Sequence, residues 1–428
     1  MDDIVDIENL AFGGFGVGTS HGKKVFIPYV IPGERVAFRV VRSQKRLDWG
    51  RLVDVVEPSP LRRAAPCPYF GDCGGCQWQH IDDPAQVRYK QKLFEDTLSR
   101  LGNIDPDRVR PIIKAPHPFH YRRRITLHGR GGALGFYATR SNRVVRVEKC
   151  LIADPSINQI LPALSDLAPR LDAVQMEVAA SLHGQEIMIH IQSERTLSRA
   201  QRESLLCSVE ALSGVRVALI EDPGGAADLK TARGLRFSLP ASTGEGSSLD
   251  LEFTPGVFFQ VNWEQNIRLL DLLLTAVKGM GSELNALELH SGAGNFTVPM
   301  AALGHRVCSV EQNKRAVADA RLNIERNNIT GVESLVGDTA EILKKLADEG
   351  KRFDLIITDP PRGGVKGEME SLLRLKAPHL LYVSCDPATL ARDIRSLERG
   401  GYRLVGAQPL DFFPQTYHIE SLNHLELR

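Results

Sequence analysis

The spacing of apolar residues changes three times along the chain, and each change predicts a different architecture. Within the first sixty residues the apolar positions fall in short runs of strand character. These are Val25 to Val30, then Val36, Phe38 and Val40 alternating with Ala37, Arg39 and Val41, then Arg51 to Val56, with Gly and Pro between them. Such runs predict a small β-barrel. The segment FGGFGVG, Phe12 to Gly18, has glycines that do not fit G-x-G-x-x-G, and no apolar helix follows it, so it reads as a turn between strands. Further on, Asp83 and Pro84 offer a helix N-cap and a first-turn proline. Val87, Phe94, Leu98 and Leu101 then share one helical face, and Gly102 ends the helix. From about Pro111 to Asp250 strand and helix signals mix, with AVQMEVAASL (173–182) and GQEIMIHIQS (184–193) expected to pair antiparallel.

From about Asn285 the pattern becomes regular βα alternation. The strands expected are NALEL (285–289), HRVCSVE (305–311), ESLVGD (333–338), FDLIITD (353–359) and HLLYVS (379–384), separated by helical stretches such as Lys314 to Asn327. This predicts a doubly wound parallel sheet that binds its ligand at the carboxyl ends of the strands. Two further strands, Tyr402 to Ala407 and His418 to Leu427, would add a terminal hairpin, which departs from a plain dinucleotide fold and suits a methyltransferase. The expected fold class is multidomain α/β: an N-terminal OB-like barrel over 1–60, a central α+β unit over 61–253, and a C-terminal Rossmann-like unit over 254–428. The helix 83–102 is placed in the central unit, with packing on the C-terminal one as an option.

Composition narrows the setting. A chain of 428 residues is too long for one core, and 43% hydrophobic with 25% charged residues is ordinary for a soluble globular protein. No apolar run approaches the roughly 20 residues needed to cross a bilayer, and the acidic start MDDIVDIENL lacks the parts of a signal peptide. The expected location is cytoplasmic, where thiols stay reduced, so the seven cysteines read as ligands, nucleophiles or core residues. A net charge of +1 gives no global attraction to nucleic acid. Between His21 and Ala65, however, ten Lys and Arg stand against four acids, a surplus that fits either a phosphate-facing surface or a solvated basic face.

Three groups carry candidate chemistry. Cys67, Cys73 and Cys76 form a C-x5-C-x2-C cluster with no fourth ligand nearby; thiolates in this spacing serve iron–sulfur and zinc equally. The first parallel strand runs into ELHSGAGNFT, where Gly292 and Gly294 let the backbone turn against a ligand, but Thr297 replaces the third glycine that a pyrophosphate needs. Glu311 ends the second strand, where it can bind ribose hydroxyls, and Asp338 ends the third, where it can face an adenine amine. Together these suit S-adenosylmethionine. Cys385 lies at the end of the last parallel strand, with Asp386 and Pro387 opening the next helix, a position expected to lower its pKa. On the same rim stands DPPR, Asp359 to Arg362. Enzymes that methylate base amines carry an aromatic residue after DPP, and its replacement by Arg362 points to methylation of carbon. C5 of a pyrimidine becomes nucleophilic only after a thiolate adds to C6, and a base must then remove the C5 proton. His418 and Glu420, of equal strand parity, are the alternatives for that base.

With these motifs in order, the chain resembles the RNA uridine-5 methyltransferases that carry an N-terminal TRAM domain. The likeness spans the glycine-marked barrel, the cysteine cluster, VFFQVN (257–262), the cofactor loop, DPPR, SCDP and FPQTYHIE. The resemblance implies that Cys385 is the nucleophile and Glu420 the base. It implies that Gln260, Glu311 and Asp359 line the cofactor and uracil pocket, with Ser291, Gly292 and Asn295 against the methionine part. It also implies a [4Fe–4S] cluster on Cys67, Cys73, Cys76 and the distant Cys150. That leaves Cys207 and Cys308, which read as core. The implied partner is RNA, 23S ribosomal RNA first and tRNA second, with no membrane and no obligate protein partner, and a monomer as default. PFHYRRRI (118–125) reads either as an RNA-contacting surface braced by the cluster or as a basic strand edge. His290-Ser291 departs from the family's usual aromatic-cysteine pair.

Overall fold

A computed structural model describes residues 2–170, 174–182, 184–228, 234–240 and 248–428. Five strands, Asp3–Ala11, Phe15–Ser20, Lys23–Pro28, Arg35–Ser43 and Leu47–Glu57, close into a barrel around Val5, Ile7, Val25, Ile27, Val36 and Phe38. The FGGFGVG segment is only half a turn: Gly13 and Gly14 adopt φ of +100° and +84°, and Phe15 onward is already the second strand. Gly16 is there for space. A Cβ on it would lie 2.2 Å from Val30 Cγ2, so no larger residue lets that strand approach the core. The basic surplus is partly spent internally. Arg62 forms a buried pair with Glu34, Arg63 pairs with Asp83, and Lys23, Lys24 and Arg39 pair with Asp48, Glu8 and Asp2. Arg42, Lys45, Arg46 and Arg51 stay exposed.

The middle of the chain forms a seven-stranded sheet in the order Gly225–Asp228, Val215–Asp222, Ile187–Ser193, Val174–Ala180, Arg124–Arg130, Ala133–Tyr137, Val144–Arg146, with helices Pro155–Asp166 and Arg199–Glu210 packed on it. The expected antiparallel pair runs in register from Ile187 opposite Ala180 to Ser193 opposite Val174. Ala173, which opens the first of those two expected strands, lies outside the described residues.

The C-terminal sheet also has seven strands, in the order Val332–Val336, Arg306–Glu311, Asn285–Leu289, Leu355–Thr358, His379–Ser384, Glu420–Leu427, Tyr402–Leu410. The first five are parallel and the last two antiparallel. Every parallel strand therefore delivers its carboxyl end to one rim. Two segments from earlier in the chain pack into this unit. Helix Asp83–Thr97, with the π-turn Leu98–Gly102 that follows, buries Phe94 and Leu98 against Leu390, Ala391 and Ile394. The hairpin Leu235–Pro240 and Ser248–Phe253 buries Phe237 and Phe253 beside Phe259 and Trp263. The helix is capped by Asp82, one residue before the expected Asp83. The π-turn rotates Leu101 off the buried face to 51% exposure, so that residue does not join Phe94 and Leu98.

Candidate active site and cysteine centre

Around the first strand's end, Phe253, Phe258, Gln260, Glu288, Ser291, Gly292, Asn295 and Asp359 line one pocket. Gly292 and Gly294 hold φ of +56° and +91°, and His290 also stands in the left-handed region at +59°. A Cβ on Gly292 would meet nothing within 4 Å, so that glycine serves the backbone turn and not the space beside it. Glu311 ends its strand as expected, and its carboxylate reaches back to the loop, accepting from Gly292 N at 3.0 Å and from Asn313 N at 2.7 Å. Asp338 differs from expectation. The third strand stops at Val336, and Asp338 is the N-cap of helix Thr339–Asp348, accepting from Glu341 N at 3.0 Å. Its charge still acts on His290, which lines the pocket.

The pocket lining carries the carboxylates of Glu288 and Asp359 and, among the described residues, no lysine or arginine. This lining suits a cationic sulfonium and offers a pyrophosphate no lysine or arginine. Glu288 was not singled out in the sequence, although a charge inside the apolar strand NALEL was the available signal. It is 1% exposed, accepts from Thr297 Oγ1 at 2.5 Å, and burial pushes its carboxyl up to about 8.

Cys385 follows strand His379–Ser384, and Asp386 caps helix Pro387–Arg399 by accepting from Ala388 N and Thr389 N. The helix start was expected to lower the thiol pKa. The structure reverses this: burial, with the charges of Glu420 and Asp359 beside it, pushes Cys385 up to about 12, and Arg362 only partly offsets them. The carboxyls move the same way. Burial raises Asp359 to about 7, and burial with Asp359 raises Glu420 well above the usual carboxylate range. Gln260 Nε2 donates to Asp359 Oδ2 at 3.4 Å. Glu420 is 4% exposed, and its Oε1 has no hydrogen-bond partner. His418 lies in the loop before the strand, so the shared parity with Glu420 does not hold. Burial pushes its ring down to about 3, leaving it neutral.

Cys67, Cys73, Cys76 and Cys150 line a second pocket with Tyr69, Phe136 and Ile152. All four are free thiols. Burial first, with the neighbouring cysteines adding to it, raises Cys73 to about 11 and Cys76 to about 12. Four thiols in one pocket are a donor set for a shared metal centre, whose charge would favour their thiolate forms. Of the two remaining cysteines, Cys308 is buried in its strand as expected, whereas Cys207 is exposed on its helix and does not belong to the core. In the PFHYRRRI segment Arg123 pairs with Asp154 at 2.5 Å and Arg124 stacks over Phe258 at 4.8 Å, so these two side chains act internally. At the opposite end of the sheet His379, His424 and Glu426 come together, but His379 and His424 already hydrogen-bond each other at 3.3 Å.

Comparison with known proteins gives the family and the fold. The sequence profile of the tRNA (Uracil-5-)-methyltransferase family matches residues 110–428. An uncharacterised RNA methyltransferase of Halalkalibacterium halodurans is 33% identical, covering 100% of this chain and 98% of its own. The 23S rRNA (uracil(1939)-C(5))-methyltransferase RlmD of Acidithiobacillus ferrooxidans is 34% identical, covering 98% of this chain and 96% of its own. Among solved structures, the Pyrococcus abyssi tRNA (uracil-54, C5)-methyltransferase in complex with S-adenosyl-L-homocysteine superposes with a TM-score of 0.73 at 23% identity, over 99% of this chain and 100% of its own. No described helix is long and apolar enough to cross a membrane.

Proposed function

Since the chain belongs to the tRNA (uracil-5-)-methyltransferase family, S-adenosylmethionine-dependent enzymes acting on uracil C5 in RNA, we propose that its substrate is a uridine of 23S ribosomal RNA. The full-length similarity to RlmD supports the ribosomal target over the T-loop of tRNA, because the tRNA enzyme shares the fold at a lower identity. S-adenosylmethionine supplies an electrophilic methyl group. Glu311 is the residue for the ribose hydroxyls and Asp338 for the adenine amine, with Ser291, Gly292, Gly294 and Asn295 along the methionine part. Gln260 presents both a donor and an acceptor, the complement of a uracil edge that offers N3–H and O4.

Once deprotonated, Cys385 Sγ adds to C6, C5 takes the methyl group that S-adenosylmethionine would supply, Glu420 in its ionised form takes the C5 proton, and the C6–S bond breaks to return the thiolate. The observation that carries this assignment is Glu420 Oε1, buried and unpartnered beside Cys385. An unpaired buried acceptor costs about 1–3 kcal/mol, and a site keeps one where a proton is to arrive.

Cys67, Cys73, Cys76 and Cys150 are proposed to hold a [4Fe–4S] cluster. The support is that the four thiols line one pocket, a donor set of the kind that holds iron–sulfur clusters.

The test is mass spectrometry after mixing the protein with S-adenosylmethionine and 5-fluorouridine-substituted 23S rRNA or tRNA. Fluorine cannot leave as a cation, so the reaction stalls with RNA bonded to Cys385. An adduct on 23S rRNA alone supports the proposal; an adduct on tRNA alone overturns the ribosomal assignment. Methyl transfer that survives Cys385→Ala would remove the carbon mechanism and favour amine methylation.

A further inference from the structure

Glu420 is carried by a strap, Asp411 to Ile419, between the last two strands. The backbone carbonyls of five consecutive strap residues are held by four different segments. Asp411 O accepts from Gln265 Nε2 at 2.9 Å, Phe412 O from Asn262 Nδ2 at 2.9 Å, Phe413 O from Lys90 Nζ at 2.9 Å and Pro414 O from Tyr121 Oη at 3.0 Å. Gln415 O accepts twice, from Gln77 N at 3.1 Å and Trp78 N at 3.0 Å, the two residues directly after Cys76. Loops seldom satisfy their carbonyls this way, since water ordinarily does it.

Gln415 is the centre of this arrangement. It is fully buried and stands at φ +69°, a left-handed conformation that a non-glycine residue keeps only when its surroundings impose it. Gln86 grips it at both ends, accepting from Gln415 N at 2.9 Å and donating to Gln415 Oε1 at 3.0 Å. The same oxygen accepts from Arg63 Nη2 at 3.0 Å, and Gln415 Nε2 donates to Asp83 Oδ1 at 2.8 Å. Gln86 Nε2 also donates to Trp78 O at 3.1 Å, so the cysteine turn and the strap share one clamp.

We infer that Gln415 is a positioning residue through which the turn Cys73–Trp78 sets the placement of Glu420. This rests on the reading of Glu420 as the base. It gives the cysteine centre a task inside the catalytic cycle: the turn it stiffens is tied by two hydrogen bonds to the loop that presents the proton acceptor. Capture of 5-fluorouridine RNA requires Cys385 and methyl transfer but no proton removal, whereas turnover of ordinary RNA requires all three. A residue that acts only through Glu420 separates the two.

Two variants test this. Gln415→Gly accepts the left-handed backbone and removes the clamp, and Gln86→Met removes the clamp from the helix side while Gln415 stays native. Each is expected to slow tritium release from [5-³H]uridine RNA by about 10- to 100-fold while 5-fluorouridine capture changes by less than about threefold. Hydrogen exchange of amides 411–420 is expected to quicken about tenfold in both, and also in Cys76→Ser, which alters the turn from its other end. Capture and tritium release falling together in the folded variants, or unchanged exchange across 411–420 in Cys76→Ser, overturns the inference. A wild-type protein that forms no adduct removes instead the reading of the site beneath it, and the inference goes with it.

Discussion

At residue scale the site is assembled around groups whose ionisation burial opposes. Cys385 is a protonated thiol at neutral pH, and Glu420 and Asp359 are raised carboxyls. An acid whose folded pKa lies above its unfolded value costs no stability at low pH. It destabilises progressively as pH rises from the unfolded pKa to the folded one, and the penalty then stays constant. Glu420→Gln should therefore leave the melting temperature nearly unchanged at pH 4 and raise it by about 2–6 °C at pH 8, measured by calorimetry. The same variant should accumulate RNA bonded to Cys385, because the proton has nowhere to go. Turnover of the wild type should climb across the neutral range, where an unperturbed carboxylate would give a flat profile above about pH 5. The sequence marked Cys385 but gave the wrong direction for its pKa. The helix start is local and visible in SCDP, whereas Glu420 and the burial that outweighs it come from elsewhere in the chain.

At the scale of elements the sequence was most legible where burial is symmetrical. NALEL and HLLYVS are parallel strands buried on both faces, and their bounds matched the structure residue for residue. The third strand was read two residues too far, to Asp338, because a helix cap and a strand end carry the same residue types. The barrel's second strand was hidden by its glycines, which signal turns when only φ is considered and close packing when space is. Gly16→Ala should accordingly cost about 1–3 kcal/mol in barrel stability by denaturant unfolding, an overpacking penalty. Asp386→Ala, which removes a cap shared by two amides, should cost about 1 kcal/mol.

On the scale of the whole molecule, the contacts that join distant segments were the least legible, because no periodicity announces them. Lys90 looks like a surface residue of an amphipathic helix. Its side chain is instead fully buried, 2.6 Å from Asp411 Oδ1, 321 residues away. Replacing Lys90 with Met should destabilise the protein by about 3–5 kcal/mol by leaving Asp411 buried and uncompensated. Adding Asp411→Asn should recover much of that loss, as a double-mutant cycle would measure.

The order of strands in the C-terminal sheet bears on the protein's own synthesis. Glu420–Leu427 is made after Tyr402–Leu410 yet is inserted between it and His379–Ser384. Until that segment is made, Tyr402–Leu410 has nothing joining it to the sheet and Cys385 has no Glu420 beside it. In order of synthesis the proposed nucleophile thus precedes the proposed base, and the two meet only when the later-made strand is inserted beside the earlier one.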